Sequence, residues 1–184
     1  MNKNFKKTIK LTTAAMLVAL SVVSLYLIRF PIIPGATFLE YDCADIPVLF
    51  GTMILGPIWG EIILLAVCLI QALTVSAASG WIGFLMHFIA SSVLVLIPGI
   101  LYLKKKSFKW MLIGLAMGIA GMTIVMIPLN LIFTGIFLGA GTKAVVSMLI
   151  PAIIPFNLFK GGINVVVSSM IFIPLKDKIS KLLQ

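Results

Sequence analysis

Trp110-Met-Leu-Ile-Gly-Leu-Ala-Met-Gly-Ile-Ala-Gly-Met-Thr-Ile-Val-Met-Ile-Pro-Leu-Asn-Leu-Ile-Phe-Thr134 runs for twenty-five residues without one charged side chain. A helix of about 20 apolar residues crosses the ~30 Å hydrocarbon core of a bilayer, so this stretch predicts a membrane span. The whole chain agrees with it. Of 184 residues, 61% are hydrophobic and 10% charged, which leaves too little polar surface to cover a water-soluble globule.

Working outward from 110–134, similar apolar runs at 8–28, 46–58, 60–77, 82–103 and 147–175 bring the predicted number of transmembrane helices to six. The expected fold is an all-α membrane protein, with 1–184 as one transmembrane domain. The second span is short. It starts at Pro47, after the polar stretch Glu40-Tyr-Asp-Cys-Ala-Asp45, and stops at Gly56-Pro57. A helix of that length reaches only about 20 Å. Before it comes a long loop, Arg29 to Asp45, containing Pro31, Pro34 and Gly35, which reads as a lid. The first run follows Lys3, Lys6, Lys7 and Lys10 but lacks a small-residue cleavage site, so it is expected to be a retained span and not a signal peptide.

The formal net charge of +9 points to the membrane and not to nucleic acid, because the lysines cluster at the ends of apolar runs. Lys3, Lys6, Lys7 and Lys10, then Lys104, Lys105, Lys106 and Lys109, then Lys176, Lys178 and Lys181 all fall on one side of a six-span arrangement. Arg29 and Lys143 are on the other side, and Lys160 is inside the last span. The excess of basic residues predicts cytoplasmic termini, with the loops at 29–45, 78–81 and 135–146 facing outward. The two three-helix halves share no motif of the kind that builds inverted-repeat carriers.

Polar groups at membrane depth are costly and mark function. Lys160 is sixteen residues before Lys176, about 24 Å up the last helix and in the outer half of the membrane. Asn157 shares its helical face. Asn130, His87 and Gln71 fall at a similar depth, and Asp42 and Asp45 lie at the mouth of the short helix. These residues predict an outward-facing pocket in which Lys160 donates and Asn130 and Asn157 both donate and accept, as a flat polar ligand requires. The competing reading has Lys160 neutralising a buried carboxylate such as Asp45, with the asparagines joining helices. His87 alone reads better as satisfying a neighbouring carbonyl, and Glu61 as a solvated carboxylate at a helix start.

No Ser or Cys stands with a His and a carboxylate, and the chain has no metal-ligand spacing, phosphate loop or nucleotide-binding motif. No enzymatic activity, metal or cofactor is expected, and energy for uphill transport has to come from partners. Cys43 and Cys68 read as packing residues. Ala15 and Ala19, four residues apart, offer a face for close approach of another helix.

Several segments together resemble the six-helix substrate-binding S components of energy-coupling factor vitamin importers, and within them the riboflavin-specific group. They are Phe38-Leu-Glu-Tyr-Asp-Cys-Ala-Asp-Ile-Pro47, Leu55-Gly-Pro57, Gly80-Trp-Ile-Gly-Phe-Leu-Met-His87, Met126-Ile-Pro-Leu-Asn130 and Ile154-Pro-Phe-Asn-Leu-Phe-Lys160. The resemblance implies that Asn130, Asn157 and Lys160 hydrogen-bond riboflavin, with Asp45, His87 and Gln71 nearby, and that Phe38, Leu39 and Glu40 close over it. Phe38, Phe156 and Phe159 are then expected to sandwich the flat ring. It further implies that Ala15 and Ala19 face a transmembrane coupling subunit served by two ATPases. The alternatives are an S component for thiamine, biotin or a pyridoxal-like compound, and, outside transport, a small intramembrane enzyme or an assembly subunit.

Overall fold

Prolines, glycines and lysine clusters set where the helices begin and end. The computed structural model describes residues 3–183. Helix α1 (Lys3–Leu27) leads into a hairpin of β1 (Arg29–Pro31) and β2 (Glu40–Asp42), followed by α2 (Asp45–Leu55), α3 (Pro57–Leu73), α4 (Gly80–Lys105) and α5 (Phe108–Leu129). Two short helices, α6 (Gly135–Leu138) and α7 (Thr142–Met148), come before the long α8 (Ile154–Leu183). Gly56 turns the chain between α2 and α3 with φ of 95°, a conformation open to glycine. Pro57 then begins α3, where a missing N–H costs nothing. Lys106, at φ 47°, closes α4.

Four helical stretches are long and apolar enough to cross a membrane: Asn4–Leu27, Ala77–Lys105, Phe108–Leu138 and Thr142–Lys176. α2 and α3 are apolar but shorter, with 11 and 17 residues. The chain is thus a helical, multi-pass membrane protein. Its helix ends differ from the expected spans. The second stops at Leu55 and not at 58, because Gly56 breaks it. The third covers 57–73 and not 60–77, because after Leu73 the chain turns back, with the Thr74 and Ser76 N–H groups both donating to the Gln71 carbonyl. The long loop read as a lid contains a two-stranded antiparallel hairpin, with Arg29 opposite Asp42 and Pro31 opposite Glu40.

The helices before and after the 135–146 connection each contain a π turn, Asn130–Thr134 and Leu149–Ile153. Proline explains their position. Pro128 stands just before the first and Pro151 inside the second, and a helical proline removes one backbone donor and crowds the preceding turn. Such turns recur at functional sites.

Apolar side chains face outward as well as inward. Leu64, Leu94 and Leu115 are buried in the core, while Leu73 and Ile150 are each 80% exposed, as expected where the surroundings are lipid. α4 and α5 pack along their length because glycines let the backbones approach. A Cβ on Gly114 would lie 2.6 Å from Pro98 Cα, and one on Gly121 would lie 2.8 Å from Val93 Cγ1. Replacing Gly114 by Val is therefore expected to cost about 1–3 kcal/mol through overpacking. Thermal unfolding of the detergent-purified protein should show a lowered midpoint for this variant. Gly162→Ala, with nothing within 4 Å of the added carbon, should hold the midpoint or raise it.

Candidate ligand-binding cavity

At the hairpin end of the bundle the helices enclose a cavity of about 640 Å³, within the range of small-molecule sites. Phe38, Leu39 and Glu40 come to it from the hairpin region, Gln71 from α3, His87 and Ser91 from α4, Met122 and Met126 from α5, and Phe156, Asn157 and Lys160 from α8. The first π turn contributes Asn130 and Thr134. Its walls are mostly apolar and aromatic, with a few polar atoms set among them.

Those polar atoms are held in a definite arrangement. Lys160 Nζ donates to Asp42 Oδ2 at 2.8 Å, and Asp42 Oδ1 accepts from the Ala44 N–H at 3.1 Å. Both side chains of the pair are more than nine-tenths buried. A buried charge is tolerated only when it is paired and hydrogen-bonded. Asp45 Oδ1 accepts from His87 Nε2 and Oδ2 from Ser91 Oγ, each at 3.1 Å. Asn130 Nδ2 donates to the Met126 carbonyl and Oδ1 accepts from Thr134 Oγ1, both at 2.7 Å. Asn157 Nδ2 donates to the Ile153 carbonyl at 2.7 Å. Asn157 Oδ1 and Gln71 Oε1 have no hydrogen-bond partner among the described residues. These two acceptors are themselves buried but belong to residues that line the cavity, so a ligand that reaches them as the side chains turn satisfies them by donating.

The hairpin is tied to the helices on both sides. Arg29 Nε donates to Glu40 Oε2 at 2.7 Å, Nη2 donates to the same oxygen, and Nη1 donates to the Val75 carbonyl at 2.6 Å. On the α8 side, Tyr41 Oη donates to Asn164 Oδ1 at 3.1 Å, and Ser168 Oγ donates to the Ile46 carbonyl at 3.0 Å. Burial, together with the neighbouring Cys43 thiol, pushes the Tyr41 phenol above its ordinary pKa, so it keeps the proton it donates.

Of the residues singled out in the sequence, Asn130, Asn157, Lys160, Phe38, Leu39, Glu40, His87 and Gln71 all line the cavity. Asp45 does not. It lies behind the wall at 2% exposure, bonded to His87 and Ser91. Lys160 is neutralised by Asp42 and not by Asp45, because β2 carries Asp42 directly over α8. His87 satisfies a carboxylate, not a carbonyl. Phe159 points out of the cavity at 48% exposure and packs edge-on against Tyr41, so of the three expected aromatic walls only Phe38 and Phe156 are present. Glu61 is not a solvated helix-start carboxylate, since its Oε2 accepts from Ser92 Oγ on α4 at 2.9 Å and its Oε1 is buried.

Arg29 and Thr134 also line the cavity without having been expected there. Arg29 could have been found. An arginine and a glutamate on either side of a Pro- and Gly-containing turn are placed to pair across a hairpin.

Comparison with known proteins accords with this geometry. The family described as "ECF transporter, substrate-specific component" matches residues 9–172. The riboflavin transporter FmnP of Bacillus subtilis is 31% identical over 95% of this chain and 96% of its own length. The riboflavin transporter RibU of Streptococcus thermophilus is 32% identical over 95% of this chain and 86% of its own length. A solved structure of the S component of a bacterial ECF transporter superposes with a TM-score of 0.76 at 31% identity, covering 97% of this chain and 99% of that one. This chain belongs to the ECF transporter S-component family.

The buried pair gives a test of the cavity wall. Asp42→Asn strands the Lys160 ammonium and is expected to destabilise by about 3–5 kcal/mol. Removing both charges in Asp42→Asn/Lys160→Met should recover much of that loss. Unfolding midpoints that are simply additive would show that the two groups do not act as a pair.

Proposed function

We propose that this chain is the riboflavin-binding subunit of an ATP-driven importer, taking the vitamin from outside the cell and passing it inward with a coupling subunit and two ATPases. One observation carries the reading. A mostly apolar cavity is lined by Asn157 and Gln71, each with a side-chain oxygen that lacks a hydrogen-bond partner, and by the cationic Lys160. Riboflavin matches that set, since its flat ring has one edge where an N–H stands between two carbonyls. Asn157 accepts from the N–H and Lys160 donates to a carbonyl. Asn130 has one amide hydrogen and one lone pair beyond its contacts with Met126 and Thr134, and these serve the polar side chain of the vitamin. Phe38 and Phe156 cover the ring faces, where aromatic contact supplies much of the affinity. The names of the relatives from Bacillus subtilis and Streptococcus thermophilus support riboflavin as the ligand.

In this reading the chain is one domain of six membrane-crossing helices, with α2 and α3 completing the four long ones. Both termini are cytoplasmic, a reading that the distribution of lysines supports, and the hairpin covers the outer mouth of the cavity. Ala15 and Ala19 are both exposed, while Ala14 and Leu17 of the same helix are buried. The small-residue face is therefore unused inside the chain and suits the coupling subunit. ATP hydrolysis by the partners supplies energy that no motif of this chain can provide.

Titrating detergent-purified protein with riboflavin should quench flavin fluorescence with submicromolar affinity. Asn157→Ala, which removes an acceptor without stranding a charge, should weaken binding about tenfold or more. Absence of binding by the folded protein would rule out riboflavin and leave family membership standing. Ala15→Phe/Ala19→Phe should keep full flavin quenching but lose co-purification with the coupling subunit.

A further inference from the structure

A second cleft lies at the opposite end of the bundle from the hairpin, where α1 and α3 both begin. Lys6, Lys7 and Lys10 of α1 and Trp59 of α3 line it, together with Asn4. Three features of this cleft point to one kind of occupant. Among the described residues its charge is of one sign, with no acidic side chain in its lining, and Glu61, two residues from Trp59, is bonded to Ser92 on α4. Its lining side chains come from the N-terminal turns of α1 and α3, the ends at which a helix macrodipole is positive. Trp59 stands in the first turn of α3.

The level of the cleft identifies the source of the anion. Directly after Lys10 the chain becomes apolar and stays free of charge through Ile28. After Trp59, α3 is apolar except for Glu61 and Gln71. The cleft therefore sits where both helices pass from water into hydrocarbon, the depth at which phosphodiester groups lie and where tryptophan is favoured. We propose that Lys6, Lys7, Lys10 and Trp59 form a site for the headgroup of an anionic phospholipid. The ammonium groups take the phosphate, and the indole lies along the glycerol and upper acyl region. The shared chemistry is a phosphate anion, and the membrane is its source.

The experiment uses the full chain carrying W81F/W110F, so that Trp59 is the sole tryptophan, reconstituted in phosphatidylcholine vesicles. Part of the lipid is replaced by dibrominated phosphatidylglycerol or, in parallel, by the same fraction of dibrominated phosphatidylcholine. Bromine quenches indole on contact. Each lysine near an anionic surface favours that lipid about fivefold, so brominated phosphatidylglycerol is expected to quench Trp59 several-fold more than brominated phosphatidylcholine. K6Q/K7Q/K10Q should bring the two to parity, while K104Q/K105Q/K106Q, which removes equal charge elsewhere, should keep the preference. Equal quenching in the W81F/W110F chain itself overturns the proposal, with no lysine variant needed. Loss of the preference in K104Q/K105Q/K106Q also overturns it, in favour of general surface charge. Abolition of the preference by millimolar inorganic phosphate, at constant ionic strength, overturns the lipid source in favour of a free anion.

Discussion

A lysine buried in a membrane protein has to have a counter-charge, and Lys160 finds its partner in a strand outside the helical bundle. The 2.8 Å contact with Asp42 means that without the hairpin in place α8 would carry a buried, uncompensated ammonium, at a cost of about 3–5 kcal/mol. The same requirement fixes the cavity. Asp42 holds β2 against α8, Tyr41 reaches Asn164, and Phe38, Leu39 and Glu40, at and just before the start of β2, line the cavity. A lid that depended on apolar contact alone could slide, whereas one held by a buried ion pair has a single register. The second carboxylate, Asp45, is taken up by His87 and Ser91, so it does not compete for the lysine.

Proline acts on the other wall. Pro128 and Pro151 each stand at a π turn. Asn130 opens the first of these turns, and Asn157 lies one helical turn beyond the second. Here each makes one bond to a carbonyl four residues earlier, and Asn157 keeps an acceptor in reserve.

Much of this was legible in the sequence, and the reasons differ residue by residue. The depth of Lys160, Asn157 and Asn130 follows from counting helical rise from the basic clusters, a calculation insensitive to small errors in helix ends. The side on which Phe159 lies does not, because Ile154–Lys160 follows a π turn and each added residue rotates the helix face by about 100°. Pairing was harder still. Asp42 and Asp45 are three residues apart, and only the hairpin register decides which one meets Lys160. Glu61 was misread because a carboxylate near a helix start usually faces water, and nothing in its own segment announces Ser92 across the interface. Hydropathy located the long spans, but the ends of α2 and α3 were set by Gly56 and the turn after Leu73.

The hairpin's two attachments are unequal. Toward α8 it is held by Asp42, Tyr41 and the start of α2, all buried. Toward the α3–α4 connection it is held by Arg29, whose ion pair with Glu40 is partly open to solvent and which bonds the Val75 carbonyl. Solvated pairs exchange readily with water, whereas buried ones do not. In mechanical terms the α8 edge is a hinge and the Arg29 edge a latch. Under the proposed function, the edge that would yield first to an entering guest is the one closed by Arg29.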